Sequence, residues 1–482
     1  MKRKFITNLA LVIFLNLLVK PFWIFGIDRT VQNVVGADQY GFYFSLFSFS
    51  LLLNIILDIG ITNFNNRAIA REPGLLGEYF SNIVVLKFLL ALLYAGVCFG
   101  GGLIIGYTAE QFIMLIFLVI NQFLASFLLY LRSNISGLHY FRTDSLISVL
   151  DRTLVIIICG MLLWGNITDR PFRIEWFVYS QTVAYLVAVI VAFMVVWSKS
   201  IFLKPVLDFQ YFKRILRQSY PFALLILLMS FYNRIDSVML ERLLTDGKMQ
   251  AGIYAQSFRI LDAAAMFAFL FAGLLLPIFS RMIRQKQQVN EMVLLSFSLI
   301  FIPAVTLAVL ACFFPGEIIE WMYHEHIQYS ASIFPLLMLG FISISTTYIF
   351  GTLLTANGNL KELNILASSA LVINILLNIL FIPRHQAFGA ALSSLITQTF
   401  MAVAQVLVAF LKFRFRLKWE QLYRFGAFSA TVFILGWFTA EYIKSWFMGA
   451  ILVIVLSVLS AFVVRILSLG DLYRIVRIRE EG

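Results

Sequence analysis

Fourteen mostly apolar runs, each of about 20 residues and joined by short loops, fill this chain from end to end. In hydrocarbon every peptide group must bond inside the chain, and a helix is the structure that achieves this locally. The expected spans are 6–27, 41–63, 81–106, 111–131, 145–165, 175–197, 219–240, 251–276, 291–314, 331–355, 362–382, 387–411, 425–441 and 446–467. Composition agrees. Residues are 61% hydrophobic and 13% charged, against about 25% charged in soluble domains, and Phe occurs 49 times. The fold class is therefore all-α integral membrane.

The opening "MKRKFITNLALVIFLNLLVK" has the basic start and apolar stretch of a signal peptide. No small-residue cleavage site follows, so it reads as an uncleaved first span. Cys98, Cys159 and Cys312 lie inside separate spans without paired spacing, which points to neither a disulfide framework nor a metal site. No loop is large enough for an external domain, which weighs against a membrane glycosyltransferase.

The net charge of +12 becomes informative on this map. With a cytoplasmic N-terminus, and with Arg465 at the end of the last span counted with the tail, inside segments hold 25 of the 37 Lys and Arg residues and the spans hold five. The outside loops hold Arg29, Arg170, Arg173, Arg242, Lys248, Arg384 and Lys444. The positive-inside rule then supports both termini in the cytoplasm, and the basic balance does not imply nucleic acid. Trp164, Trp176, Trp197, Trp321, Trp419 and Trp446 fall near span ends, as an interfacial belt requires. Two basic amphipathic stretches, 208–218 and 412–424, are expected to be surface-lying connectors.

An internal repeat is visible. "YGFYFSLFSFS" carries Gly41 and Tyr43, and "AGIYAQSFRIL" carries Gly252 and Tyr254, about 211 residues later. A short basic loop follows each copy. Six spans per copy keep both copies in one orientation, an arrangement used by transporters. The expected organisation is a six-helix lobe over 1–200, a second over 201–415, and two additional helices with a basic tail over 416–482.

The five cations inside spans are Lys20, Lys87, Arg152, Arg234 and Arg259. Each would cost about 2.5–3.5 kcal/mol if it faced lipid near a helix centre, so they are expected to face the interior. Lys20 and Arg234 each lie about 15 residues into their spans, roughly 22 Å deep at 1.5 Å per residue. Arg259 reaches a similar level from outside, while Lys87 and Arg152 lie nearer the cytoplasmic mouth. The candidate acids are Asp58, Asp151, Asp236 and Asp262. Arg259 and Asp262 are i,i+3 and could pair on one face, whereas Arg234 and Asp236 point to different faces. Asp151 and Arg152, being adjacent, are not expected to pair. Asn54, Asp58 and Thr62 form one polar stripe, and Asn364, Ser368, Asn374 and Asn378 form another. Both suit helix packing or a hydroxyl-rich ligand.

No catalytic constellation is present. His324 and His326 form an H-x-H without a third obvious ligand, and no phosphate-binding glycine loop occurs. No cofactor is expected. Energy for transport would come from an ion gradient (H+ or Na+), the membrane potential or the substrate gradient.

The stretch "VVGADQYGFYFSLFSFSLLLNIILDIGITNFNNRAIARE" (34–72) resembles the second-span region of Wzx-type oligosaccharide flippases. "NRIDSVMLERLLTDGKMQAGIYAQSFRILDAAAMFAFLFAGLLLPIFSR" (233–281) is similar to their seventh and eighth spans. The resemblance implies the MOP exporter superfamily, with two six-helix bundles around a cavity that opens alternately to each side. It implies membrane lipid and an undecaprenyl-pyrophosphate-linked oligosaccharide as partners, with polysaccharide assembly proteins as further contacts. It also implies cations along the cavity. Lys20, Arg234 and Arg259 are the candidates by depth, with Lys87 and Arg152 toward the mouth. Asp58, Asp236 and Asp262 are the ion-coupling or ion-pair acids. Many relatives have 12 spans. The extra two match the lipid II flippase and keep that cargo open, and a multidrug antiporter of the same superfamily is the remaining alternative.

Overall fold

The computed structural model describes residues 18–19, 21–62, 65–66, 69, 74, 76–138, 140–165, 167–199, 209–415 and 419–467. A π-helical turn, Phe22–Asp28, leads into α1 (Arg29–Leu52), which is followed by a 3-10 turn at Asn54–Leu57. Then come α2 (Leu76–Ile105), α3 (Ala109–Gly137), α4 (Phe141–Trp164), α5 (Ile174–Trp197), α6 (Phe209–Leu243) and α7 (Gly247–Arg284). The remainder are α8 (Asn290–Phe313), α9 (Pro315–Met322), α10 (Ile327–Ala356), α11 (Leu360–Phe413), α12 (Trp419–Tyr442) and α13 (Trp446–Val463). No strand occurs among the described residues. Among the described residues, ten helices are long and apolar enough to cross a membrane. Large apolar side chains such as Leu92, Leu103 and Ile104 cover their outer faces. Trp164 and Trp197 end their helices, while Trp419 and Trp446 begin theirs.

Helices begin and end where hydrogen bonding allows, so polar residues flanking an apolar run join it. The expected loop 28–40 is therefore mostly helical, and its one non-helical residue is Gly36 at φ 79°. The expected connector 208–218 is not a separate surface element, because residues 209–218 form the first turns of α6. The other connector, 412–424, is divided between the end of α11 and the start of α12. The two spans expected at 362–382 and 387–411 both lie within α11, which breaks at Gln386 (φ 51°, ψ −133°). A Cβ built on Gly389 would lie 2.4 Å from the Phe381 carbonyl oxygen. Eight residues of continuous helix would separate these groups by about 12 Å, so the chain turns back there.

The second expected span, 41–63, differs most. Its helix stops at Leu53 (φ −102°, ψ 1°), tightens to 3-10 over Asn54–Leu57, and then passes through Ile59 at φ 46° and Gly60 at φ 84°. Asn54, Asp58 and Thr62 are consequently not one helical stripe. The second stripe also divides, since Asn374 and Asn378 are buried and bonded to each other at 3.1 Å while Ser368 is exposed.

The chain packs as two compact units, residues 1–252 and 253–482. In the first, α3 runs along α5, α4 covers α5, and α1 lies against α6 and α3. Its apolar core joins α2 to α5 through Phe80, Leu86, Phe127, Leu131, Ile147 and Ala188. In the second, α10 packs on α8 and α11. The last two helices dock on α8 by burying Val309, Phe428, Val432 and Val453, with Thr306 bonding Ser457 at 3.0 Å.

The sequence repeat acquires a geometric meaning inside the first unit. A Cβ on Gly41 would lie 1.8 Å from the Lys248 carbonyl oxygen, and one on Gly252 would lie 1.9 Å from that of Ala37. Each glycine thus faces the carbonyl four residues before the other, so the two G-x-Y copies meet reciprocally. Backbones can approach this closely only where neither helix carries a side chain. Gly41→Ala or Gly252→Ala should therefore cost about 1–3 kcal/mol of stability by overpacking. Gly96→Ala, whose Cβ would meet nothing within 4 Å, should not destabilise. Thermal unfolding of the detergent-purified chain checks the contrast.

Candidate functional site

In the first unit the embedded charges are held by partners that the spacing of spans did not reveal. Lys87, on α2, is 1% exposed. Its Nζ donates to the Asp58 carboxylate at 2.5 Å, the Leu57 carbonyl at 2.9 Å and the Ser126 hydroxyl at 3.2 Å. The ammonium also lies 5.9 Å from the Tyr130 ring centroid. Asp58 in turn accepts from the backbone N–H of Thr62 at 3.2 Å and from its hydroxyl.

Arg152, on α4, lies over the rings of Trp23 at 5.1 Å and Tyr185 at 5.7 Å. Its Nε is 3.5 Å from the Asp151 carboxylate, contrary to the expectation that adjacent residues do not pair. The guanidinium stem is long enough to fold back, and the two rings hold it there. Arg234 is half-buried on α6, and Asp236, two residues on, is 1% exposed. At the end of the same helix, Arg242 is ion-paired with Glu241 at 2.8 Å and donates to the Gln111 amide oxygen of α3 at 2.7 Å, over the Tyr107 ring at 4.4 Å. Lys20 lies outside the described residues.

Sequence reasoning missed Asp28. It fell in an expected outside loop, yet its carboxylate is 2% exposed at the end of the π-helical turn. The Tyr40 hydroxyl spans both of its oxygens, at 2.9 and 3.0 Å, and the Gln32 amide donates at 3.3 Å. Trp23 stacks on Phe177 with centroids 5.5 Å apart, and Phe177 meets Tyr43 edge-on at 5.4 Å. The usable signal was Asp28, Gln32 and Tyr40, spaced by multiples of four beside an apolar span.

In the second unit, Arg259 and Asp262 lie 3.8 Å apart on α7, the i,i+3 arrangement. Nearby, Ser257 donates to the Ser330 carbonyl at 3.1 Å, fixing α7 to α10. Among the described residues no group of three or more His, Cys, Asp or Glu is placed to hold a metal ion.

Residues 10–283 match the model of a family described as polysaccharide biosynthesis protein. No curated protein matches the sequence. Among solved structures, the fold is similar to a lipid II flippase, MurJ, in an inward closed conformation. That likeness has a TM-score of 0.71 at 15% identity and covers 94% of this chain and 99% of that one. It is also similar to an inward-facing multidrug resistance MATE family transporter of the MOP superfamily, with a TM-score of 0.62 at 16% identity over 85% and 98% of the two chains. A MOP superfamily transporter from Pyrococcus furiosus, described by the reverse polarity of its binding pocket, gives 0.52 at 16% identity over 84% and 93%. These likenesses establish a MOP-type transporter fold.

Tyr40→Phe removes the hydroxyl that spans both Asp28 oxygens, a charge-assisted contact worth about 1.5–3 kcal/mol. A loss of stability on that scale, read by thermal unfolding in detergent, is expected. Tyr43→Phe, which removes a hydroxyl that accepts a long 3.4 Å contact from the neutral Gln181 amide, should cost less.

Proposed function

The chain belongs to the polysaccharide biosynthesis protein family, and from that premise we propose that it is a flippase for an undecaprenyl-pyrophosphate-linked oligosaccharide. It would carry this lipid from the inner to the outer leaflet of a bacterial cytoplasmic membrane by alternating access, leaving the cargo chemically unchanged. The observation that carries the reading is Arg234, a half-buried guanidinium deep within a spanning helix of a chain that is only 13% charged. Such a group costs about 2.5–3.5 kcal/mol to insert. The cargo's pyrophosphate is its anionic part, and a planar guanidinium offers it paired, permanently charged donors. Lys20, at matching depth in the other repeat, is the second proposed contact, with Arg259 and Arg152 as further cations. Asp236, Asp262 and Asp28 are the proposed coupling acids for H+ or Na+. The distribution of Lys and Arg supports both termini on the cytoplasmic side.

Lipid II is the second reading. The likeness to MurJ covers 94% of this chain, and the cargo would present the same pyrophosphate. The multidrug antiporter reading would rest on the acids instead of Arg234.

The test compares a deletion strain carrying the wild-type gene with one carrying Arg234→Ala at matched expression. Carrier-linked glycan should accumulate while surface glycan falls about tenfold or more, the scale set by losing one charge-assisted contact. Arg234→Lys should restore only part of it, because an ammonium lacks the paired donors. Normal surface glycan in the deletion strain would sink the oligosaccharide reading. Loss of viability on depletion would move the cargo to lipid II, and drug hypersensitivity alone would favour the antiporter.

A further inference from the structure

The break after α1 is built like an ion site. A helix interrupted inside a membrane leaves carbonyls without partners, and transporters use such unwound carbonyls together with side-chain oxygens to hold Na+ or H+. Here three oxygens of different kinds converge on one point. They are the Leu57 carbonyl at the end of the 3-10 turn, the Asp58 carboxylate and the Ser126 hydroxyl of α3. The oxygens also touch each other, since the Ser126 hydroxyl lies 3.3 Å from the Leu57 carbonyl. The occupant of the point is the Lys87 ammonium, 2.5 to 3.2 Å from all three.

Every contact of this cluster lies within the first unit. Ile59 at φ 46° is a β-branched residue in the left-handed region, a conformation that persists only where its surroundings impose it. Lys87 supplies that imposition from α2. Asn54 donating to Gln122 at 2.6 Å, and Tyr94 donating to the Ser50 carbonyl at 2.7 Å, hold the preceding turns to α3 and α2.

The geometry points to a monovalent-cation cradle at the α1 break, formed by the Leu57 carbonyl, Asp58 and Ser126, which the protein keeps filled with its own Lys87 side chain. The tethered ammonium does the structural work of a bound ion, holds the unwound segment in place, and leaves no exchangeable ion at this point. Ion coupling, where the transport cycle uses it, is then located at other acids. This inference rests on the geometry of the first unit alone and stands or falls independently of the cargo.

Lys87→Ala opens the cradle without removing an oxygen. The full chain would be purified in detergent, and its melting temperature measured in choline, sodium and methylammonium chloride at equal ionic strength. The wild type should melt at the same temperature in all three. Lys87→Ala should melt lower in choline and recover by several degrees in sodium or methylammonium, and Asp58→Asn combined with Lys87→Ala should abolish the recovery. Lys87→Met, which keeps an uncharged stem in the cradle, should be less stable than wild type and indifferent to the cation. If Lys87→Ala yields folded protein only when extracted in sodium or methylammonium, the same conclusion holds. A Lys87→Ala protein that responds to neither cation overturns the proposal. So does one that cannot be recovered in any salt while Lys87→Met folds, and so does a wild type that itself gains stability from sodium through Asp58.

Discussion

A peptide group in hydrocarbon has no water to bond, so it must find its partner within the chain. Most of the architecture follows from that requirement. Where the chain stays helical, each segment satisfies itself, and its outward face need only be apolar. Where it departs from a helix, something else has to supply the missing bonds, and each departure is therefore a place where side chains become specific. After Leu53, the Lys87 ammonium and the Ser126 hydroxyl bond the freed Leu57 carbonyl, and the Asp58 carboxylate takes the Thr62 N–H.

Charge obeys the same rule at greater cost. An ammonium or carboxylate buried among helices is tolerated when it is paired and hydrogen-bonded, and breaking such a pair is more damaging than never having it. Lys87 with Asp58, Asp28 beneath the Tyr40 hydroxyl, and Arg152 between two aromatic rings are three solutions to this problem in one unit. The second unit adds Arg259 with Asp262.

With water absent from the lipid phase, helix association relies on close packing. Small residues therefore matter at crossings. Gly41 and Gly252, the shared element of the internal repeat, let α1 and the first turns of α7 approach with backbone against backbone. The last two helices join their unit differently, through an apolar seam on α8 and a Thr306–Ser457 hydrogen bond. They are part of that unit's core.

The all-helical membrane fold and the ends of some spans, such as those expected at 175–197 and 291–314, were legible in the order of residues, because hydropathy and length report directly on what can cross a bilayer. The reciprocity of the two glycines was half-legible: their 211-residue spacing marked a repeat, but not that the copies touch. The break after Leu53 was hidden, since "LLLNIILDIGIT" is as apolar as an intact helix and carries no proline. The partners of the embedded charges were hidden too. Asp28 and Tyr40 are 12 residues apart, Asp58 and Lys87 are 29, and Arg152 reaches rings at 23 and 185. Sequence by itself determined which segments are apolar enough to enter a membrane, because the cost of transfer is a local sum over residues. Tertiary structure alone decided which charge meets which, because an ion pair depends on distance in space, and only packed helices bring residues so far apart in the chain within bonding range.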